Sequence, residues 1–150
     1  MSDRILVDTN VLVYAYDRAE PDKQGQALKV LDRLALDGIG VLSTQVLSEF
    51  FVAVTRKIAA PLSMGEAYGR VKNFLQIWPL FDVTGLVVLE AARGARDHQI
   101  NFWDAQIWAA ARLNQVEVVF SEDLSPGAVI EGVRFVNPFD PHFRLEEWVA

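Results

Sequence analysis

Short apolar runs alternate with longer amphipathic segments along this chain of 150 residues. The runs are rich in Val, Ile and Phe and are too short to be helices, which indicates buried strands. We predict strands over 4–7, 41–43, 78–83, 117–120 and 132–136, and helices from about 11 and over 22–36, 45–58, 63–76, 84–96 and 101–114. Buried strands that alternate with helices usually form a parallel sheet covered on both faces. The sequence therefore predicts an α/β fold, a three-layer α/β/α sandwich with a central, mainly parallel sheet of four to five strands.

Length, composition and charge restrict the class of protein. A chain of 150 residues, 51% of them hydrophobic, can form a sizeable core, so we expect a single domain over 1–150. The chain has no cysteine, which excludes disulfides and thiolate metal sites. No apolar stretch is long enough to span a membrane, and residues 1–4 lead into a strand without a signal peptide, so we expect a cytoplasmic protein without a membrane partner. The net charge of −6 argues against binding long nucleic acids through phosphate contacts alone.

Four acidic residues occupy the places where an active site would need them. Asp8 and Asp123 follow the apolar runs 5–7 and 118–120, and Glu49 and Asp104 fall near the starts of two predicted helices. Open α/β folds bind ligands at the carboxyl edge of the sheet, where strands end and helices begin. We therefore expect these four side chains to converge in one cleft.

Asp8 and Asp104 also have ordinary structural interpretations. Asp8 could be only a helix N-cap, since Asp is favoured there. Asp104 could face solvent in the first turn of its helix. Its helical face also carries Ile107 and Trp108, however, and an isolated carboxylate on an apolar face is costly to bury. Asp104 is therefore the sharpest of the four signals.

Glu49 and Asp123 are less distinctive when each is taken alone. Glu49 lies opposite the apolar face of its helix, so a solvated surface explains it equally well. Asp123 could be a turn acid, and Glu122 beside it competes for the same role. Neighbours in extended chain point in opposite directions, so only one of the two should face the cleft.

Aromatic and basic side chains near these motifs have mainly structural interpretations. We expect the tryptophans, Trp103 and Trp108 among them, to lie in the core. Arg56 and Lys57 could guide a phosphate backbone, but a solvated helix face is the favoured interpretation.

Four clustered carboxylates indicate a bound cation. Two carboxylates about 4 Å apart repel by roughly 4 kcal/mol at an effective dielectric constant near 20. Oxygen ligands without histidine or cysteine suit Mg²⁺ or Mn²⁺ better than zinc. Thr9 and Asn10 follow Asp8 directly and are expected to orient it. Phosphodiester hydrolysis is the reaction that fits such a site best.

At this point four stretches of the sequence resemble the four acidic motifs of PIN domains. The stretches are Asp8-Thr9-Asn10, Ser48-Glu49-Phe50, Trp103-Asp104-Ala105 and Ser121-Glu122-Asp123-Leu124. The chain is most similar to the VapC-type toxins of bacterial type II toxin–antitoxin modules, and the match spans nearly the whole chain in the right order. One Asp-Thr-Asn motif would be weak, whereas four motifs in order are specific.

The resemblance implies a PIN-like fold, Mg²⁺- or Mn²⁺-dependent cleavage of RNA, a cognate antitoxin and frequent homodimers. Carried over by motif, Asp8, Asp104 and Asp123 are metal ligands, and Glu49 is a ligand or general base. Asn10 and Ser121 would orient those ligands, as Thr9 would. The usual Thr-x-Asp of the fourth motif is Ser121-Glu122-Asp123 here, which keeps the hydroxyl.

Two other functions compete with this one. A haloacid-dehalogenase-like phosphohydrolase also has an Asp after its first strand, but it needs a second Asp where this chain has Asn10. A non-cleaving PIN-fold module that binds RNA or protein is the rival from another class. The four acids argue against it, because a site without a metal has no need of their mutual repulsion.

Overall fold

The computed structural model describes residues 4–149. The prediction that residues 1–4 lead into a strand without a signal peptide falls mostly outside that range. Its elements in chain order are β1 (Ile5–Val7), α1 (Thr9–Tyr14), α2 (Pro21–Asp37), β2 (Gly40–Ser43), α3 (Thr44–Arg56), α4 (Met64–Ile77), β3 (Leu80–Phe81), α5 (Gly85–His98), α6 (Phe102–Leu113), β4 (Val118–Phe120), β5 (Val129–Ile130) and β6 (Val133–Val136). The predicted helices and strands are all present, with shifts of one or more residues at their ends.

The sheet has the order β3-β2-β1-β4-β6-β5, and every pairing is parallel except that of β5 with β6. The predicted α/β fold is confirmed. The sheet has six strands rather than four or five because β5 and β6 form a hairpin that the sequence analysis did not predict. Glu131 and Gly132 at its turn both have positive φ, 47° and 84°, as a tight two-residue hairpin turn requires. The prediction of a single domain stays a prediction.

Side-chain caps begin all the described α-helices except α2, which begins with Pro21. Helix α4 begins with a capping box: the Ser63 hydroxyl accepts a hydrogen bond from the backbone N–H of Glu66, and the Glu66 carboxylate accepts one from the backbone N–H of Ser63. Helix α3 begins at Thr44 and is capped by Ser43, although threonine is also a favoured cap residue. The Thr44 hydroxyl instead accepts a hydrogen bond from the backbone N–H of Val83 at 3.0 Å, which ties α3 to the segment after β3.

The core lies between the sheet and the helices. Leu6, Val119 and Phe135 from the central strands are fully buried, as is Trp108 on α6. Helix α5 approaches α6 closely at Gly94, where an added Cβ would lie 2.5 Å from the Trp108 ring. Over residues 4–149, no helix combines the length and apolar character needed to cross a membrane.

Candidate metal centre

The central strands deliver two of the four acids to one edge of the sheet. Strands β1 and β4 are parallel neighbours with Val7 paired to Phe120, so Asp8 and the loop carrying Asp123 leave the sheet side by side. Glu49 lies on α3, which follows β2, and Asp104 lies in the first turn of α6. All four carboxylates line one cavity of about 430 Å³, which we call the acidic cavity. The expected convergence is therefore observed.

Asp8 caps a helix and lines the acidic cavity at the same time. One carboxylate oxygen accepts the N–H of Thr9 at 2.7 Å, and the other accepts the hydroxyl of Ser121 at 2.7 Å. The side chain is only 5% exposed. Burial raises the pKa of Asp8 from 3.8 to about 6, against the lowering effect of these two hydrogen bonds, and the charges of Asp123 and Glu49 raise it further.

Asn10 and Ser121 connect Asp8 to Asp123. The Asn10 amide donates to Asp123 at 3.0 Å and to the Ser121 hydroxyl at 3.4 Å, and its oxygen accepts the backbone N–H of Glu122 at 3.3 Å. These contacts hold the start of α1 against the loop after β4. Asn10 and Ser121 therefore contact the candidate ligands Asp8 and Asp123, as the resemblance implied.

Glu49 is exposed, as its helical position predicted, yet it reaches the acidic cavity. Its carboxylate accepts hydrogen bonds from the Thr9 hydroxyl at 3.3 Å and from the Gln45 amide at 3.2 Å. Thr9 was expected to orient Asp8, and it does so only through its backbone N–H. Its side chain contacts Glu49 instead.

Asp104 is half-buried in the wall of the acidic cavity. Desolvation raises its pKa most, and the charges of Asp123 and Glu49 raise it further. Among residues 4–149 no hydrogen-bond donor reaches its carboxylate. An acid in this position would gain from a cation more than from any protein group nearby.

Glu122 turns away from the acidic cavity. Its carboxylate accepts the Tyr14 hydroxyl at 2.6 Å and forms an ion pair with Lys23 at 2.6 Å. Asp123 lines the cavity, so only one of the two neighbouring acids faces it, as expected.

The donors suit a small divalent cation that keeps part of its water shell. Every candidate ligand is a carboxylate oxygen, and burial and repulsion penalise the ionised forms of Asp8 and Asp104. Within residues 4–149, no three Asp, Glu, His or Cys side chains are already close enough to enclose an ion. Mg²⁺ usually keeps several waters, and a substrate phosphate can complete its shell. The acidic cavity therefore fits an open site rather than a closed cage.

Trp103 is 60% exposed, so the prediction that it lies in the core is wrong. It lies in the first turn of α6, directly before Asp104. Lys57 follows the last residue of α3 and is exposed, as the solvated-face interpretation expects, and it also lines the acidic cavity.

Comparisons with known proteins agree with this architecture. A family model described as PIN domain matches residues 5–126. A toxin–antitoxin complex from Klebsiella pneumoniae matches with 18% identity and a TM-score of 0.67, covering 91% of this chain and 98% of that one. A sarcin–ricin loop cleaving VapC toxin from Mycobacterium tuberculosis matches with 21% identity, a TM-score of 0.64 and coverages of 85% and 97%. A DNA-bound VapBC from Salmonella typhimurium matches with 19% identity, a TM-score of 0.63 and coverages of 92% and 99%. These likenesses show a shared fold, and no match is found among the curated proteins.

Proposed function

Because this chain belongs to the PIN domain family, we propose that it is a metal-dependent endoribonuclease, acting as the toxin of a type II toxin–antitoxin module. The observation that carries the proposal is the acidic cavity itself. Four carboxylates line it, and one of them, Asp8, is buried with its pKa raised to about 6. A site that only binds a protein or RNA gains nothing from burying one carboxylate and placing three others around the same cavity.

The proposed cofactor is Mg²⁺ or Mn²⁺, held by Asp8, Asp104 and Asp123, with Glu49 as a further ligand or as the general base. When bound, such a cation would offset the repulsion among the acids and supply Lewis-acid activation of the phosphodiester and of the attacking water. Glu49 is exposed, which suits it to accept a proton from that water.

The remaining polar residues orient the acids and the substrate. Ser121 and Asn10 fix Asp8 and Asp123 by hydrogen bonds, and Thr9 fixes Glu49. Among the residues described, Lys57 is the only cationic side chain that lines the acidic cavity. It would attract a substrate phosphate, which reduces the objection raised by the net charge of −6.

The proposed partners are an RNA substrate, a cognate antitoxin and a second copy of the chain, in the cytoplasm. The antitoxin is supported by the similar structures, which include toxin–antitoxin complexes. Exposed apolar side chains on α4 and α5 are compatible with protein contacts: Met64, Tyr68, Leu75, Ile77, Leu86 and Leu89.

The test is cleavage of a total RNA pool by the purified protein in Mg²⁺ or Mn²⁺. The controls are EDTA, an Asp104→Asn variant and an Asp32→Asn variant, since Asp32 is an exposed acid on α2 outside the cavity. We expect discrete cuts that disappear with EDTA and with Asp104→Asn but persist with Asp32→Asn. Equal cutting by Asp104→Asn would refute the assignment of the site. A folded, metal-bound protein that cuts nothing would favour the non-cleaving binding module.

A further inference from the structure

A second cavity lies directly beside the acidic cavity. It has a volume of about 480 Å³, within the range of small-molecule sites, and its walls include Gln45, Val83, Trp103 and Gln106. Glu49 lines both cavities. A substrate whose phosphate lies among the acids would therefore extend into this second space.

Trp103 presents an open aromatic surface to the second cavity. Its side chain is 60% exposed although it neighbours Asp104 in the chain. The Phe102 ring contacts the Trp103 ring edge-to-face, with centroids 5.3 Å apart. The backbone carbonyl of Trp103 accepts a hydrogen bond from the Gln45 amide at 3.0 Å. The ring is thus supported from behind, while much of its surface remains available to a flat ligand.

The floor of the second cavity carries a buried amide with an unused hydrogen-bonding group. Gln106 is 6% exposed and donates to the Gln45 side-chain oxygen at 2.8 Å. The Gln45 amide in turn donates to Glu49 and to the Trp103 carbonyl. Over residues 4–149, nothing donates to the side-chain oxygen of Gln106. A fixed amide with a free acceptor is suited to recognising the polar edge of a ligand.

The chemistry of these walls selects a nucleobase over a phosphate. No cationic side chain among the described residues lines the second cavity, so a phosphate would meet only the negative charge of Glu49 there. An aromatic face, an apolar side chain and a buried amide instead match a flat, uncharged ring with polar edges. Bases that are splayed out of a single strand are bound in this way.

We propose that the second cavity is a nucleobase subsite, which takes one unstacked base of single-stranded RNA beside the cleaved phosphate. Trp103 stacks on the base and Gln106 reads its edge. The inference rests on the proposed ribonuclease function, and it adds that the enzyme selects its cutting site partly through one base and requires that base to be unpaired.

Binding of short RNA tests the subsite without cleavage. Octamers of A, C or U would be titrated in Mg²⁺ into the Asp104→Asn protein, alone and combined with Trp103→Ala, Trp103→Phe or Tyr68→Ala. Tyr68 is the matched control, since it is 70% exposed on α4 and lines neither cavity. We expect Trp103→Ala to weaken binding of the preferred octamer by about tenfold, in line with base–aromatic stacking, and Tyr68→Ala to leave it unchanged. Trp103→Phe should retain most of the affinity because a phenyl ring still stacks.

A second readout separates recognition from simple folding effects. Gln106→Met removes the amide at similar volume, and we expect it to change the ratio of affinities among the three octamers rather than to weaken all of them equally. Melting temperatures would be compared for every variant. Equal affinities for Trp103→Ala and Tyr68→Ala, or no binding of any octamer, would overturn the subsite. The proposed function is judged separately, by whether Asp104→Asn abolishes cleavage.

Discussion

The Ser121 hydroxyl donates a 2.7 Å hydrogen bond to one oxygen of Asp8, and both side chains are buried. The other Asp8 oxygen already accepts the N–H of Thr9. Asp8 is therefore held from two sides, by the start of α1 and by the end of β4. Hydrogen bonds to a charged acceptor are shorter and stronger than neutral ones, so they orient the carboxylate before any ligand arrives.

Removing the Ser121 hydroxyl should weaken metal binding more than it disturbs the fold. We expect Ser121→Ala to lower Mg²⁺ or Mn²⁺ affinity by about 10- to 100-fold, as loss of a group that orients a ligand typically does. Calorimetric titration measures this directly. Ser121→Thr keeps the hydroxyl and is the matched control. Unchanged affinity in Ser121→Ala would show that Thr9 alone suffices to orient Asp8.

The raised pKa of Asp8 predicts that the metal-free protein loses stability as the pH rises. Between its ordinary pKa of 3.8 and the folded value of about 6, the folded state holds a proton that the unfolded state has released. The contribution of Asp8 to the free energy of unfolding should therefore fall from about pH 4 to about pH 6, by on the order of 3 kcal/mol, and then level off. Urea denaturation in EDTA at a series of pH values measures the slope. Asp8→Asn should flatten it; a slope that persists in this variant would assign the effect to another group.

Asp104→Asn should stabilise the metal-free protein while it abolishes cleavage. Desolvation, followed by the charges of Asp123 and Glu49, disfavours the ionised Asp104 carboxyl, and the amide removes that charge. We expect a melting temperature a few degrees higher in EDTA at pH 7, and a smaller gain from added Mg²⁺ than the wild type shows. A lower melting temperature in EDTA would mean that this carboxylate has a structural partner.

Lys57 should contribute to RNA affinity through one phosphate contact. We expect Lys57→Gln to raise KM with little change in kcat, and to reduce the log–log salt dependence of binding to single-stranded RNA by about 0.7. Lys72→Gln, an exposed lysine on α4 outside the acidic cavity, is the control. If both variants show the same KM and salt dependence as the wild type, the solvated-face interpretation of Lys57 stands.

The close contact of α5 with α6 predicts a contrast between two helical glycines. A Cβ at Gly94 would lie 2.5 Å from the buried Trp108 ring, whereas one at Gly69 on α4 would meet nothing within 4 Å. We expect Gly94→Ala to lower the free energy of unfolding by about 1–3 kcal/mol through overpacking. Gly69→Ala should raise it by about 0.5–1 kcal/mol, because alanine is the better helix former. Denaturant titration of both proteins checks the opposite signs.

The parts of the fold that could be predicted are those set by the pattern of apolar residues along the chain. The apolar runs before Asp8 and Asp123 identify two central strands and the edge of the sheet where they end. Asp104, an acid on the apolar face of α6, indicates the same edge. The family match then agrees with the motifs. Strand β5 was missed because two residues carry no periodicity, and only the hairpin turn at Glu131 and Gly132 creates it.

The contacts around the site were harder to predict because they depend on where helices begin. Helix α1 begins at Thr9, and the Thr9 side chain reaches Glu49 rather than Asp8. The exposure of Trp103 was missed because residue type favours burial for tryptophan, whereas this ring, in the first turn of α6, is exposed.

The Gln45 side chain is hydrogen-bonded to Glu49, which lines the acidic cavity. It is also hydrogen-bonded to the Trp103 carbonyl and to Gln106, two residues of the second cavity. This one side chain on α3 thus links both cavities to α6 through hydrogen bonds. A ligand that shifts Gln106 would also displace Gln45 and with it Glu49, the proposed general base. Selectivity among RNAs would then appear in the turnover rate as well as in affinity. A poorly fitting RNA would then be held and released uncut.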